Sequence, residues 1–151
     1  MIRVLIVDGQ TEVRWGLRMR LAIEPDMTVV GETGKAGEAV YLAQALDPDV
    51  IVVDIGMHGA KGIDLLQRLR AASPATCVII VLTLHGDLDA RARALEAGAH
   101  AFLEKSGGAS DLLVIVRRLA DRRSPVSRRA ATSILPTGCA PPIEIQNTAS
   151  E

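Results

Sequence analysis

The chain alternates short, wholly apolar runs with segments whose apolar residues return at helical spacing. Val4-Leu5-Ile6-Val7, Val50-Ile51-Val52-Val53, Val78-Ile79-Ile80-Val81-Leu82 and Ala101-Phe102-Leu103 carry no polar residue. That is the pattern of strands buried on both faces, not of strands with one face in water. A further strand is predicted near residues 27–32. Between these runs, Val13, Leu17 and Leu21 form one helical stripe, Ala39, Leu42, Ala43 and Leu46 a second, and Ile63, Leu66 and Leu69 a third. A fourth helix is predicted over about 87–97, closed at Gly98 by a left-handed cap. A fifth is predicted over about 110–121, with Leu112, Ile115, Val116 and Leu119 facing inward. Pro25-Asp26, Asp47-Pro48 and Ser73-Pro74 punctuate the series.

Strand then helix, repeated five times, implies an α/β domain: a five-stranded parallel sheet covered on both faces by right-handed crossovers. From Arg122 onward neither stripe nor strand continues. Residues 1–121 are therefore expected to form one domain and 122–151 a flexible tail or truncated linker, because a Pro/Ala/Ser-rich segment buries too little to offset its ordering entropy.

Composition narrows the picture only slightly. A chain of 151 residues with 48% apolar content can bury a sizeable core, and a net charge of -1 selects no class of partner. Aromatics at 2% supply little stacking surface for bases or sugars. Cys77, inside an apolar run, reads as a small buried hydrophobe, and with Cys139 it makes no disulfide framework. No apolar stretch approaches membrane-spanning length and Met1-Ile2-Arg3 leads straight into a strand, so a cytoplasmic protein with no membrane association is expected.

The chemistry lies where the strands stop. The four apolar runs end in Asp8, Asp54, Thr83 and Glu104-Lys105. If they are neighbouring parallel strands, two carboxylates, a hydroxyl and an ammonium meet at the carboxyl edge of one sheet, where open α/β folds bind ligands. Alone, each aspartate reads as a turn or helix cap and the lysine as a surface charge. Their convergence points to a phosphate-handling site.

These residues resemble the receiver domain of two-component response regulators, closest to the NarL/LuxR-type branch. The resemblance covers roughly residues 2–121. It rests on Val7-Asp8, Val53-Asp54-Ile55-Gly56-Met57-His58-Gly59, Leu82-Thr83, the helical Val13-Arg14-Trp15-Gly16-Leu17-Arg18, and the stretch from Glu96 to Lys105. It implies a flavodoxin-like (βα)5 fold with strand order 2-1-3-4-5. It further implies that Asp54 takes a phosphoryl group from a phosphohistidine on a sensor histidine kinase, with Lys105 and Thr83 binding phosphoryl oxygens. Asp8, Asp54 and the Gly56 carbonyl would hold Mg²⁺, Thr83 and Phe102 would form the switch, and Leu84 and His85 would tune the acyl phosphate. Such a protein is a phosphoacceptor with at most self-catalysed phosphotransfer and autodephosphorylation, not an enzyme acting on a separate substrate. Its signalling face would be the fourth helix, fifth strand and fifth helix, meeting a second copy or a downstream protein.

Several positions depart from the family pattern. Gly9 stands where a second acidic residue usually supplies a direct metal ligand. Its absence is expected to cost about 1.4–3 kcal/mol net, roughly ten- to hundredfold in Mg²⁺ affinity. Leu84 replaces a small residue beside Thr83, His58 replaces the proline after Met57, and Ser106 replaces the proline after the lysine. Gly9 and Leu84 favour a rival reading, a degenerate pseudo-receiver acting as a phosphorylation-independent interaction or dimerisation module. A flavin or nucleotide binder of the same fold is disfavoured because no hydroxyl-rich or glycine-rich loop follows the first strand.

Other features carry less. Thr33-Gly34-Lys35-Ala36-Gly37 imitates part of a P-loop, but Val29 and Ala36 stand where that motif needs glycine and a hydroxyl. His58, His85 and His100 lack zinc-ligand spacing. Arg117, Arg118, Arg122, Arg123, Arg128 and Arg129 read as a solvated helix end or as a contact for nucleic acid or an acidic partner. Nothing after Arg129 reads as a recognition helix, so no sequence-specific DNA binding by this chain is expected.

Overall fold

The computed structural model describes residues 1–56, 61–84 and 86–122. Among the described residues, five strands and five helices alternate: β1 (Ile2–Val7), α1 (Thr11–Ala22), β2 (Met27–Thr33), α2 (Ala36–Leu46), β3 (Val50–Val53), α3 (Gly62–Ala72), β4 (Val78–Thr83), α4 (Leu88–Glu96), β5 (Ala101–Glu104) and α5 (Ala109–Arg122), with a 3₁₀ turn at Lys105–Gly107. The strands form a single parallel sheet in the order β2-β1-β3-β4-β5. This is the flavodoxin-like arrangement anticipated above.

The uninterrupted apolar runs have a direct structural cause. Successive strand side chains point to opposite faces, so each run feeds two cores at once. Val4, Ile6, Val50, Val52, Val78, Ile80 and Leu82 pack under α1 and α5 with Leu17, Leu21, Leu112 and Val116. Leu5, Val7, Ile51, Val53, Ile79 and Val81 pack under α2, α3 and α4 with Ala39, Ala43, Leu66, Leu69 and Ala94. Cys77 is buried in this second core. Burying a large aliphatic side chain contributes about 1.5–3 kcal/mol, so a polar residue in any inner strand would cost one layer its packing.

The helix ends follow local chemistry. The Asp87 carboxylate caps α4 by accepting from Ala90 N at 2.6 Å. Gly98, at φ 116, closes the same helix while Ala99 N donates to Ala94 O at 3.1 Å. Helix α2 ends on Asp47 in the left-handed region (φ 48), immediately before Pro48. The fifth helix runs through Arg122, one residue beyond the expected domain boundary, and buries Leu113 in addition to the four residues of its stripe. The expected tail, including Cys139, Arg123, Arg128 and Arg129, otherwise lies outside the described residues.

One basic residue has a different role from the solvated helix end or acidic-partner contact read from sequence. The Arg117 guanidinium holds Asp26 through Nε (2.8 Å) and Nη2 (3.0 Å) and also pairs with Glu24. Arg20 reaches Glu24 from α1 at 2.6 Å. The cluster ties α5 to the turn between α1 and β2, and Arg117 is occupied within the fold. Asp26 first, then Glu24, holds the guanidinium above its ordinary value, and Arg117 in turn lowers both carboxyls.

Candidate functional site

The register of the inner strands brings the acidic positions together. Val7 pairs with Val53, so Asp8 and Asp54 leave the sheet side by side, anchored by Asp8 N to Thr33 O at 3.0 Å and Asp54 N to Val7 O at 2.9 Å. Both carboxylates are buried, as is Thr83 at the end of β4. Each uses one oxygen to fold the loop that follows it: Asp8 Oδ1 accepts from Gln10 N at 2.9 Å, and Asp54 Oδ1 accepts from Gly56 N at 2.8 Å. Such turns are a common use of aspartate after a strand.

The remaining oxygens converge on one cation. Lys105 Nζ lies 2.7 Å from Asp8 Oδ2 and 2.8 Å from Asp54 Oδ2. Burial of the ammonium works against its charge, but hydrogen bonds to Asp54 and Asp8 outweigh it and raise Lys105 above the ordinary lysine value. Two carboxylates and one ammonium leave the cluster with a net negative charge.

Thr83 stands across a gap from Asp54. A Cβ built on Gly56 would lie 3.2 Å from Asp54 Oδ1 and 3.4 Å from Thr83 Oγ1. Glycine therefore keeps the slot between carboxylate and hydroxyl open. Phe102 is turned into the core below α4, and Leu84 is 52% exposed beside the site. His58 and His85, with Met57, lie outside the described residues. The bond from Lys105 to Ser106 is trans, and the lysine opens the 3₁₀ turn.

Two site residues escaped the sequence reading. Gln10 Oε1 lies 3.4 Å from Lys105 Nζ, and Arg14 Nη1 donates to the Asp8 carbonyl at 2.7 Å. A Cβ on Gly34 would lie 2.8 Å from that Arg14 nitrogen, so this glycine makes room for the guanidinium. Beside Gly9 a cleft of about 410 Å³ opens between the loops that follow β1 and β2, lined by Thr11, Arg14, Glu32 and Lys35 among others. Asp8 and Asp54 do not line it.

Among the described residues no three His, Cys, Asp or Glu side chains form a metal cluster. The available oxygens are two carboxylates, the Gln10 amide and the backbone. That set suits Mg²⁺, which keeps several waters and commonly takes only one or two carboxylates. Among the described residues no helix is long and apolar enough to cross a membrane.

A doubly wound parallel sheet with a lysine-bridged pair of buried aspartates at its carboxyl edge defines a narrow class of α/β domain. The family model of the response regulator receiver domain matches residues 4–117, and the chain belongs to that family, close to the NarL/LuxR-type regulators. It is 36% identical over 136 residues to the transcriptional regulatory protein LiaR of Bacillus subtilis, covering 89% of this chain and 64% of LiaR. It is 32% identical over 117 residues to the nitrate/nitrite response regulator protein NarL of Escherichia coli K12, covering 78% of this chain and 54% of NarL. The chain thus spans less than two thirds of the length of these relatives. Among solved structures, a response regulator from Burkholderia pseudomallei with a phosphorylated aspartic acid, a calcium ion and citrate superposes with a TM-score of 0.66 at 25% identity. The match covers 89% of this chain and 76% of that one. Receiver domains are signalling modules of two-component phosphorelays; they interact with sensor histidine kinases and generally use Mg²⁺ at the acidic phosphorylation site.

Proposed function

We propose that residues 1–121 form a cytoplasmic phosphoacceptor domain in which Asp54 takes a phosphoryl group from a sensor histidine kinase. A carboxylate oxygen of Asp54 attacks phosphorus as the bond to the kinase imidazole nitrogen breaks. The electron pair leaves with the imidazole, and an acyl phosphate remains on Asp54. Phosphoryl transfer asks little covalent help of the protein and much neutralisation and positioning. Lys105 neutralises one phosphoryl oxygen and the Thr83 hydroxyl binds another. Asp8, Asp54 and the Gly56 carbonyl would hold Mg²⁺, which supplies further charge neutralisation when bound. Movement of Thr83 toward the phosphoryl group couples to Phe102 and so to the face formed by α4, β5 and α5, where a second copy or a downstream protein binds. Leu84 and His85 set access to the acyl phosphate and its lifetime.

The bridge from Lys105 to both Asp8 and Asp54, within 2.8 Å of each, carries this reading. A lysine at the surface for solubility alone would not be desolvated against two buried acids. The test is incubation of the 151-residue chain with acetyl phosphate and Mg²⁺ followed by intact-mass measurement. The expected result is one added phosphoryl group, abolished by Asp54→Asn. Undiminished labelling of that variant overturns the assignment.

Gly9 favours a second reading, a receiver-like interaction module that works without phosphorylation. That reading requires no labelling of the native chain by either acetyl phosphate or a phosphorylated kinase, together with partner binding that Asp54→Asn leaves unchanged.

A further inference from the structure

Gln10 occupies the N-cap position of α1, with φ −92 and ψ 117, yet its side chain makes no capping hydrogen bond. That position favours short side chains, Ser, Thr, Asp or Asn, that reach back to the first-turn amides. The amide oxygen lies instead 3.4 Å from Nζ of Lys105, the lysine that bridges the two carboxylates. An ammonium has only donors, so oxygen and not nitrogen must face it. Asp8 enforces the arrangement, because its Oδ1 accepts from the Gln10 backbone amide and fixes where the side chain leaves the loop.

Three side-chain oxygens therefore surround a single positive charge: Asp8 Oδ2 at 2.7 Å, Asp54 Oδ2 at 2.8 Å and Gln10 Oε1 at 3.4 Å. Two of the three ammonium donors go to the aspartates, and the third faces the amide oxygen. That third contact is long for a charged hydrogen bond, so the amide oxygen keeps most of its acceptor capacity. It belongs to the residue directly after Gly9, where the expected carboxylate is missing.

We propose that the Gln10 amide oxygen is the third side-chain donor to the divalent cation, serving in place of the carboxylate absent at position 9. The proposal rests on the reading of Asp8 and Asp54 as the metal-holding pair. An amide oxygen is a hard, neutral donor of the kind such cations accept. Substituting it for a carboxylate makes the cluster one charge less negative, which weakens the attraction for Mg²⁺ and equally reduces the repulsion met by an incoming phosphoryl dianion.

The test measures metal binding, not phosphorylation. Mn²⁺ is titrated into the full chain and followed by the electron paramagnetic resonance signal of the free ion, with Mg²⁺ as competitor. Gln10→Met, which keeps the length and removes the oxygen, is expected to weaken Mg²⁺ roughly 3- to 10-fold, and Gln10→Glu to tighten it about 10-fold. Since the Gln10 side chain makes no cap hydrogen bond, thermal unfolding of Gln10→Met should stay close to that of the native chain; Gln10→Ala serves if the thioether perturbs the loop. Asp54→Asn is the reference. Weaker binding in that variant with unchanged affinity in Gln10→Met and Gln10→Ala overturns the role of Gln10 alone. Unchanged affinity in Asp54→Asn as well overturns the site.

Discussion

The Phe102 ring fills space that Gly86 leaves empty. A Cβ on Gly86 would lie 2.4 Å from Phe102 Cε1 and 3.0 Å from Cζ. The loop between β4 and α4 thus reports directly on the inward position of the ring, and the two residues form one packing unit at the edge of the α2, α3 and α4 core.

Gly86→Ala is expected to drive the ring outward or displace the loop, at a cost of about 1–3 kcal/mol for overpacking. Urea unfolding measures the cost. In the double variant with Phe102→Ala the penalty of Gly86→Ala should disappear, because the clash needs both groups. Full additivity would show that the loop and the ring do not compete for the same space.

Restoring a carboxylate next to Asp8 should tighten Mg²⁺. Gly98 and Gly108 have positive φ, whereas Gly9 does not, so Gly9→Asp introduces no backbone strain. Affinity should rise roughly tenfold to hundredfold, equivalent to about 1.4–3 kcal/mol. Competition against Mn²⁺ checks it. Equal affinities would show that the site is already saturated with oxygen donors.

Leu84 directly follows Thr83 and is 52% exposed. Its truncation to alanine should alter stability by no more than about 0.5 kcal/mol, as for surface substitutions generally. Acetyl phosphate should label the variant faster if the side chain narrows access to Asp54. An unchanged labelling rate in a folded variant would remove Leu84 from the control of access.

The contacts of Arg117 predict an acid-sensitive tie between α5 and the turn before β2. Arg117 holds Glu24 below its ordinary 4.5 and Asp26 below its ordinary 3.8. Carboxyls with depressed values stabilise the fold fully above those ordinary values and lose the contribution as pH falls through the lowered ones. Arg117→Met should therefore lower Tm near neutrality by a small amount and flatten the decline of Tm below pH 4.5. A native-like acid decline in the variant would assign that limb to other groups.

Much of this was legible in the linear chain because it depends on neighbours in sequence. A run such as Val50-Ile51-Val52-Val53 can only be buried on both faces, and such runs alternating with helical stripes allow little besides a doubly wound parallel sheet. Once that sheet is granted, Asp8, Asp54, Thr83 and Lys105 must emerge at one edge. Contacts between distant side chains were not legible. Gln10 meets Lys105 across 95 positions, and Arg117 meets Asp26 across 91. No local periodicity records either pairing, and residue type misleads in both: glutamine at a helix start reads as an ordinary polar residue, and arginine near a helix end as a solvated one. Burial by the assembled elements decided which polar groups face each other. Tertiary packing likewise gives Gly56 and Gly86 their close neighbours, since only the folded chain brings the side chains of Thr83 and Phe102 against them.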